Sequence, residues 1–334
     1  MVLCLLSLVK QLLTPLSPIK ISFFYKIPGE LLACLVVLFV FSFMLRGRHQ
    51  NKQISLNYAN ALHTIAACSF KQAAFPTSLL KSYGWSHYEY FATCHPFCTY
   101  LLVRFELLAR QCCWQTLLST IRHKTDLLHI EMRLPMSPKF TLLIGQRLQL
   151  KSLLETFPTI VETLNVQKVN DIPPGYSVLS DAKLIPELIF SACPSFCQLL
   201  QCIPCDDLNY CIVSDLIESP RYPEIKHGVL LQLCCAMPST TLFPMYIETL
   251  LSLSKTVCGL DLPEKTKASL KKLRRDTEKF RGDSLDYEAA KVTPNNTNKS
   301  DTCQTPVLKT KKQNKLKDRR EAKKSSIRVK LIKV

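Results

Sequence analysis

The sequence predicts an α+β protein on a membrane stalk. A single transmembrane helix comes first, then a cytosolic α+β domain, then basic C-terminal helices. Three observations predict it. Residues 31–45 read LLACLVVLFVFSFML, with one polar residue, Ser42, and no charge. Residues 87–257 mix strand-like alternation with helical spacing. Residues 309–334 carry 12 Lys and Arg against Asp318 and Glu321, within a chain of net charge +17.

Residues 1–28 form a short N-terminal apolar segment that is either a signal peptide or an interfacial helix. Positions 2–9 reach the lower length of a signal core but lack a basic leader and a small-residue cleavage site. The span is assigned to residues 29–47. A hydrocarbon core of about 30 Å takes roughly 20 apolar residues, and positions 31–45 cover about 22 Å at 1.5 Å per residue. Extending the run back to residue 27 brings in Pro28 and Glu30, both tolerated at a membrane entry. A thin endoplasmic reticulum bilayer suits so short a span. The competing reading is a core helix of a soluble domain, but such helices are seldom apolar on all sides. Lys10, Lys20 and Lys26 before the run nearly balance Arg46, Arg48 and Lys52 after it, so the positive-inside bias is weak. The basic tail and the cysteines place the C-terminus in the cytosol.

Residues 48–260 are the cytosolic domain. A helical pattern over residues 57–71 ends at Pro76. Residues 87–108 predict two strands around Pro96, and residues 109–122 a helix with Cys113, Leu117 and Ile121 on one side. Residues 126–134 alternate apolar with polar and predict a half-buried strand. A turn at 136–138 leads to a second strand over 140–144, so the two are expected to form a hairpin. Residues 147–157 follow as a helix, and residues 171–174 signal a linker. Residues 183–200 are helical with a break at Pro194. Strands are expected over 208–216 and 229–237, and helices over 243–257 and 261–281. The second of these helices is basic. Residues 282–308 read as a disordered linker, and 309–334 as a basic helical tail with no core of its own. No internal repeat is present.

The chemistry of the sequence is sparse. The chain has 8 glycines and no P-loop, dinucleotide turn, G-x-S-x-G or H-E-x-x-H. Sixteen cysteines include several in apolar runs and two adjacent pairs, which favours reduced thiols acting as small hydrophobes. Cys193, Cys197, Cys202, Cys205 and Cys211 form the best metal candidate, but Cys202 and Cys205 alone have ligand-pair spacing. No catalytic residue, metal ligand or cofactor is assigned. The sequons at Asn295 and Asn298 are expected to be unused on the cytosolic side.

Basic residues carry the functional signal. Lys265, Lys271, Lys272, Arg274 and Arg275 recur at helical spacings, and the tail adds Lys311, Lys312, Lys315, Lys317, Arg319, Arg320, Lys323, Lys324, Arg328 and Lys330. Such segments bind phosphate backbones by point charge, with little base reading. Aromatic residues for base stacking are absent from the tail. Ribosome or RNA binding is the leading reading of these residues. A membrane-anchored RNA- or lipid-binding protein without a chaperone role and a cysteine-dependent membrane-anchored enzyme remain alternatives.

The order of these features resembles the calumin family, the endoplasmic reticulum coiled-coil subunit of the PAT complex (coiled-coil domain-containing protein 47). LLVRFELLARQ at 101–111 and FTLLIGQR at 140–147 are similar to the family's strand-to-helix entry and its following strand. The helix at 243–257 followed by a basic helix, and the ending RVKLIKV, keep the family's order. The resemblance covers roughly residues 30–334. It implies a non-enzymatic, single-pass protein of the endoplasmic reticulum membrane, working beside the ribosome and the protein-conducting channel. With a small Asterix-like membrane partner it would form an intramembrane chaperone for nascent multi-spanning proteins. Two departures stand out. Family members usually carry a long acidic luminal region credited with calcium binding, whereas residues 1–45 here hold one acidic side chain, Glu30, so calcium binding is not expected to carry over. The tail also lacks the sustained heptads of a long coiled coil.

Overall fold

Between Gly29 and Ser69 the chain has no proline and one internal glycine, so nothing breaks a helix at the charged cluster that closes the apolar run. In the computed structural model the whole stretch is one helix, α1 (Gly29–Ser69), of 41 residues. At the helical rise it is about 60 Å long. The structure describes residues 29–74, 78–135, 138–147, 149–156, 158–161, 163–169, 172–219, 221 and 228–292. The N-terminal segment 1–28 and the tail 309–334 lie outside the described residues.

The sheet strands are β1 (Gln72–Ala73), β2 (Lys81–Ser82), β3 (His87–His95), β4 (Cys98–Glu106), β5 (Leu127–Leu134), β6 (Thr141–Gln146), β7 (Asn165–Gln167), β8 (Tyr176–Ser180), β9 (Leu208–Ser214) and β10 (Val229–Ala236). They form a single sheet in the order β1-β3-β4-β5-β10-β9-β6-β8-β7, with β2 also paired to β3. Every pairing among these strands is antiparallel. The helices after α1 are α2 (Cys113–Ile121), α3 (Gln149–Thr156), α4 (Pro158–Val161), α5 (Leu184–Ala192), α6 (Pro194–Cys202), α7 (Phe243–Cys258) and α8 (Glu264–Val292). The α+β class holds.

Two expectations for the sheet are corrected. β5 and β6 do not form a hairpin: β5 lies between β4 and β10, and β6 between β9 and β8. Nor is β5 half-buried. Its polar residues Glu131 and Arg133 are as buried as its apolar ones. A central strand has both faces covered, so alternation here separates an apolar core from a buried polar network. In that network Tyr100 donates to Glu131 at 2.6 Å, Gln232 donates to it at 3.3 Å, and Arg104 lies 3.5 Å away. The charge of Glu131 is thereby compensated rather than simply desolvated.

The larger core fills one face of the sheet. Leu101, Val103 and Phe105 of β4, Ile130 and Met132 of β5, and Leu231 and Leu233 of β10 meet α1, α5, α6 and α7 there. From α1 come Tyr58, Ala59, Leu62 and Ala66, at helical spacing. α7 contributes Phe243, Ile247, Leu250, Leu253 and Val257 in the same register. Tyr58, Phe105 and Phe243 pack ring against ring, with Tyr58 and Phe243 edge-on at 5.2 Å. A smaller core lies among Leu143, Leu179 and Ile212 of the sheet and Leu150, Leu154, Ile160 and Val161 of α3 and α4. Pro194 separates α5 from α6 by opening a new helix at its first turn.

Candidate membrane anchor and basic helix face

From residue 31 to residue 42 every position of α1 is exposed. Val37, Leu38 and Phe39 are 60–66% exposed, and large apolar side chains from Leu31 to Leu45 project on every side. Residues Leu31–Ser69 have the length and hydropathy of a membrane span, and only 6% of the apolar window is buried. A soluble core helix would hide that surface. The exposed sleeve is what a bilayer would cover.

The same helix enters the domain without a joint. From Gly47 onward its buried positions are Gly47, Asn51, Ser55, Tyr58, Ala59, Leu62 and Ala66, a single face at spacings of mostly three and four. Gly47 is required by close approach, because a Cβ there would overlap the Arg110 carbonyl and the Gln111 nitrogen. One turn on, the fully buried Asn51 donates to the carbonyls of Leu108 (3.0 Å) and Trp85 (3.1 Å). Arg110 returns a bond to Asn51 Oδ1 at 3.0 Å and grips Asp126 with both guanidinium nitrogens at 3.0 and 2.7 Å. Asp126 also accepts from the Leu108 amide at 2.7 Å. Arg48 lies over the Trp85 ring, 5.6 Å from its centre. These contacts clamp the helix to two loops at its exit from the apolar run. No sequence pattern signals this clamp, because Asn51, Arg110 and Asp126 belong to no motif.

The basic helix α8 is docked by an inward-facing arginine. Leu270 and Arg274 are buried, while Lys265, Lys271, Lys272 and Arg275 are exposed. Arg274 Nη2 reaches Asp181 at 2.7 Å and Asp215 at 2.7 Å, and Nε adds a second bond to Asp215 at 2.9 Å. Nη2 also lies 3.2 Å from Thr141 Oγ1. Asp181 in turn accepts from the Thr141 amide at 2.8 Å, and Thr141 and Ser214 share a hydroxyl contact at 3.0 Å. The ends of β6, β8 and β9 thus converge on one guanidinium. Burial pushes the Asp181 carboxyl above its usual range, and Arg274 pulls it back.

Arg274 therefore differs from the surface residues with which its spacing grouped it: its charge is spent inside the protein. Lys267 is tied to Asp261 at 3.0 Å and Glu264 at 3.1 Å, which raises its pKa. Beside α8 a cleft of about 530 Å³ is lined by Lys139, Lys271, Arg275 and Glu278 together with Leu262 and Leu270. The helix continues past Gly282 to Val292, beyond the basic stretch 261–281 and into the segment read as linker. The tail residues Lys311, Lys312, Lys315, Lys317, Arg319, Arg320, Lys323, Lys324, Arg328 and Lys330 lie outside the described residues.

The cysteines of the candidate metal cluster do not assemble. Cys193 neighbours Ser195 and Ser252, Cys205 points at the Pro174 carbonyl, and Cys211 is buried in the main core. Among the described residues no three His, Cys, Asp or Glu side chains come together as a metal cluster. Burial pushes the Cys98 and Cys211 thiols up to about 12, so both are protonated core residues at neutral pH.

An exposed apolar helix, a clamp that makes it continuous with an α+β domain, and a cationic helix docked on that domain are the features of a membrane-associated protein. The sequence places it more narrowly. The chain belongs to the family PAT complex subunit CCDC47, whose model matches residues 28–327. No curated protein matches the chain. That family is one of complex subunits and not a known enzyme family.

Proposed function

We propose that the chain acts in the endoplasmic reticulum membrane as a subunit of an intramembrane chaperone, beside the ribosome and the protein-conducting channel. Its clients are nascent multi-spanning membrane proteins, and a small Asterix-like membrane subunit is its partner. The domain and C-terminus face the cytosol. The role is non-enzymatic and uses no cofactor. Lys265, Lys271, Lys272 and Arg275 meet ribosomal phosphates, together with the basic tail.

The observation that carries this reading is the exposed cationic face of α8 on a domain that α1 ties to its apolar helix. Four exposed cations on one docked helix offer point charges at set positions, the arrangement that follows a phosphate backbone without reading bases. Family membership supplies the complex.

The test is purification of the full chain from microsomes in mild detergent, followed by sedimentation with ribosomes over a salt series. Binding that holds at low salt and is lost at high salt is expected, together with co-purifying channel subunits. Ribosome-free fractions at low salt would overturn the ribosome assignment. Protease added to intact microsomes is expected to digest the domain, and its protection would reverse the topology.

A further inference from the structure

The amphipathicity of α2 is inverted. Helical spacing puts Trp114, Leu117 and Ile121 on one side, which in a soluble domain would face the core. Here that side faces out: Trp114 is 64% exposed, Ile121 65% and Leu117 39%. The one buried residue of α2 is Ser119. The inward hydroxyls are satisfied by the helix itself, Thr116 donating to the Cys112 carbonyl at 3.0 Å and Ser119 to the Thr116 carbonyl at 2.8 Å.

Position explains the inversion. The close approach at Gly47 sets the backbone of Arg110 and Gln111 against α1 two residues past Leu45, the end of the apolar run. Two residues are about 3 Å along a helix, whereas each headgroup layer is roughly 5–7 Å deep. α2 begins at Cys113, two residues beyond that contact. If α1 crosses the bilayer, α2 therefore starts within the headgroup layer. Charge agrees with this placement. Residues 108–125 contain no Asp or Glu, and Arg122 and Lys124 are exposed just past the helix. Aromatic placement agrees as well. The chain's two tryptophans are Trp114 and Trp85, and the carbonyl of Trp85 is held by Asn51 in the same clamp. Tryptophan favours the membrane–water interface.

We propose that α2 lies in the plane of the bilayer surface, with Trp114, Leu117 and Ile121 among the lipid chains and Arg122 and Lys124 at anionic headgroups. The occupant of this apolar stripe is lipid, and the domain is thereby held on the membrane at a second point. The proposal rests on the reading of α1 as a span.

The test uses the full chain carrying Trp85→Phe, reconstituted in phosphatidylcholine–phosphatidylserine vesicles, so that Trp114 is the single indole. Alkaline carbonate extraction of the same vesicles checks α1 separately. Protein released by carbonate would remove the span and the proposal with it. With the protein retained, Trp114 emission is expected to shift to the blue, to be lost mostly to lipids brominated near the glycerol end of the chain, and to resist aqueous acrylamide. Quenching by acrylamide without quenching by bromolipid overturns the proposal while leaving the span intact. Quenching by neither overturns it too, and points to a second copy of the chain on the stripe. The unsubstituted protein and Trp114→Phe, compared by subtraction, supply the same readout should Trp85→Phe fail to fold.

Discussion

Replacing Arg274 by methionine separates anchoring from binding on α8. Methionine keeps most of the stem and removes the charge. It leaves Asp181, fully buried, and Asp215, 8% exposed, without the cation that both engage. Removing one partner of a buried ion pair is destabilising by about 3–5 kcal/mol, because the remaining charge stays desolvated. At about 2–4 °C per kcal/mol for a domain of this size, the melting temperature should fall by about 6–20 °C. The loss should concentrate at α8, so protease cleavage between α7 and α8 should accelerate before the sheet unfolds. The assay is thermal melting of the full chain in detergent, with timed proteolysis alongside. The double change Lys271→Ala and Lys272→Ala is the contrast. Both side chains are exposed, and melting should move by no more than about 0.5 kcal/mol in stability, while anion binding weakens. If Arg274→Met melted like the unsubstituted protein and weakened ribosome binding as the double lysine variant is expected to, the assignment of Arg274 to the interior would be refuted.

Further outcomes are expected elsewhere in the molecule. Asn51→Ala should lower stability by about 1–3 kcal/mol, since it removes a fully buried amide and leaves two part-buried carbonyls and an Arg110 donor without it; melting in detergent reads it, and an unchanged curve would dismiss the clamp. Removing Lys265, Lys271, Lys272 and Arg275 together should reduce the salt slope of ribosome binding by on the order of 0.7–0.9 for each phosphate that these side chains neutralise, a slope measurable by sedimentation. Burial alone would depress His129, but its contacts with Cys234 and Glu106 outweigh this and hold its pKa up at about 9. A raised folded pKa gives stability that is complete below about 6.5 and is lost as pH rises through about 9. Melting should therefore fall between pH 7 and 10, and His129→Asn should flatten that part of the profile; a profile unchanged by the substitution would rule out His129 as its source.

Local patterns read from the chain located most elements, and long-range neighbours escaped them. β3 and β4 lie on either side of Pro96, and α5 and α6 meet at Pro194, because proline acts on its own backbone and needs no tertiary context. The hairpin expected of β5 and β6 failed because strand order depends on partners far along the sequence: β10 inserts beside β5, and β9 beside β6. β7 and β8 went unread because one has three residues and the other borders the Pro173-Pro174 turn. In α8 the periodicity correctly marked a basic helix. It could not tell Arg274 from Arg275, since the two differ only in which one faces Asp181 and Asp215. The spacing of Cys113, Leu117 and Ile121 marked a helix for the same reason, but an apolar stripe does not state whether protein or lipid will cover it.

The continuity of α1 gives these separate features a common mechanical consequence. A span joined to its domain by a flexible linker leaves the domain free to turn and to drift from the bilayer. Here one helix supplies both the exposed apolar surface and part of the main core, from Tyr58 to Ala66. Bending it near Gly47 would mean breaking its own backbone ladder and the Asn51 contacts together. A helix rotates about 100° per residue, so each side of the span keeps a constant bearing relative to each side of the domain. A partner helix packed on the span is thereby presented at a defined angle to the cation-bearing face of α8. In a subunit of a membrane complex, such a fixed bearing would let binding at one level orient contacts at another without any change of fold.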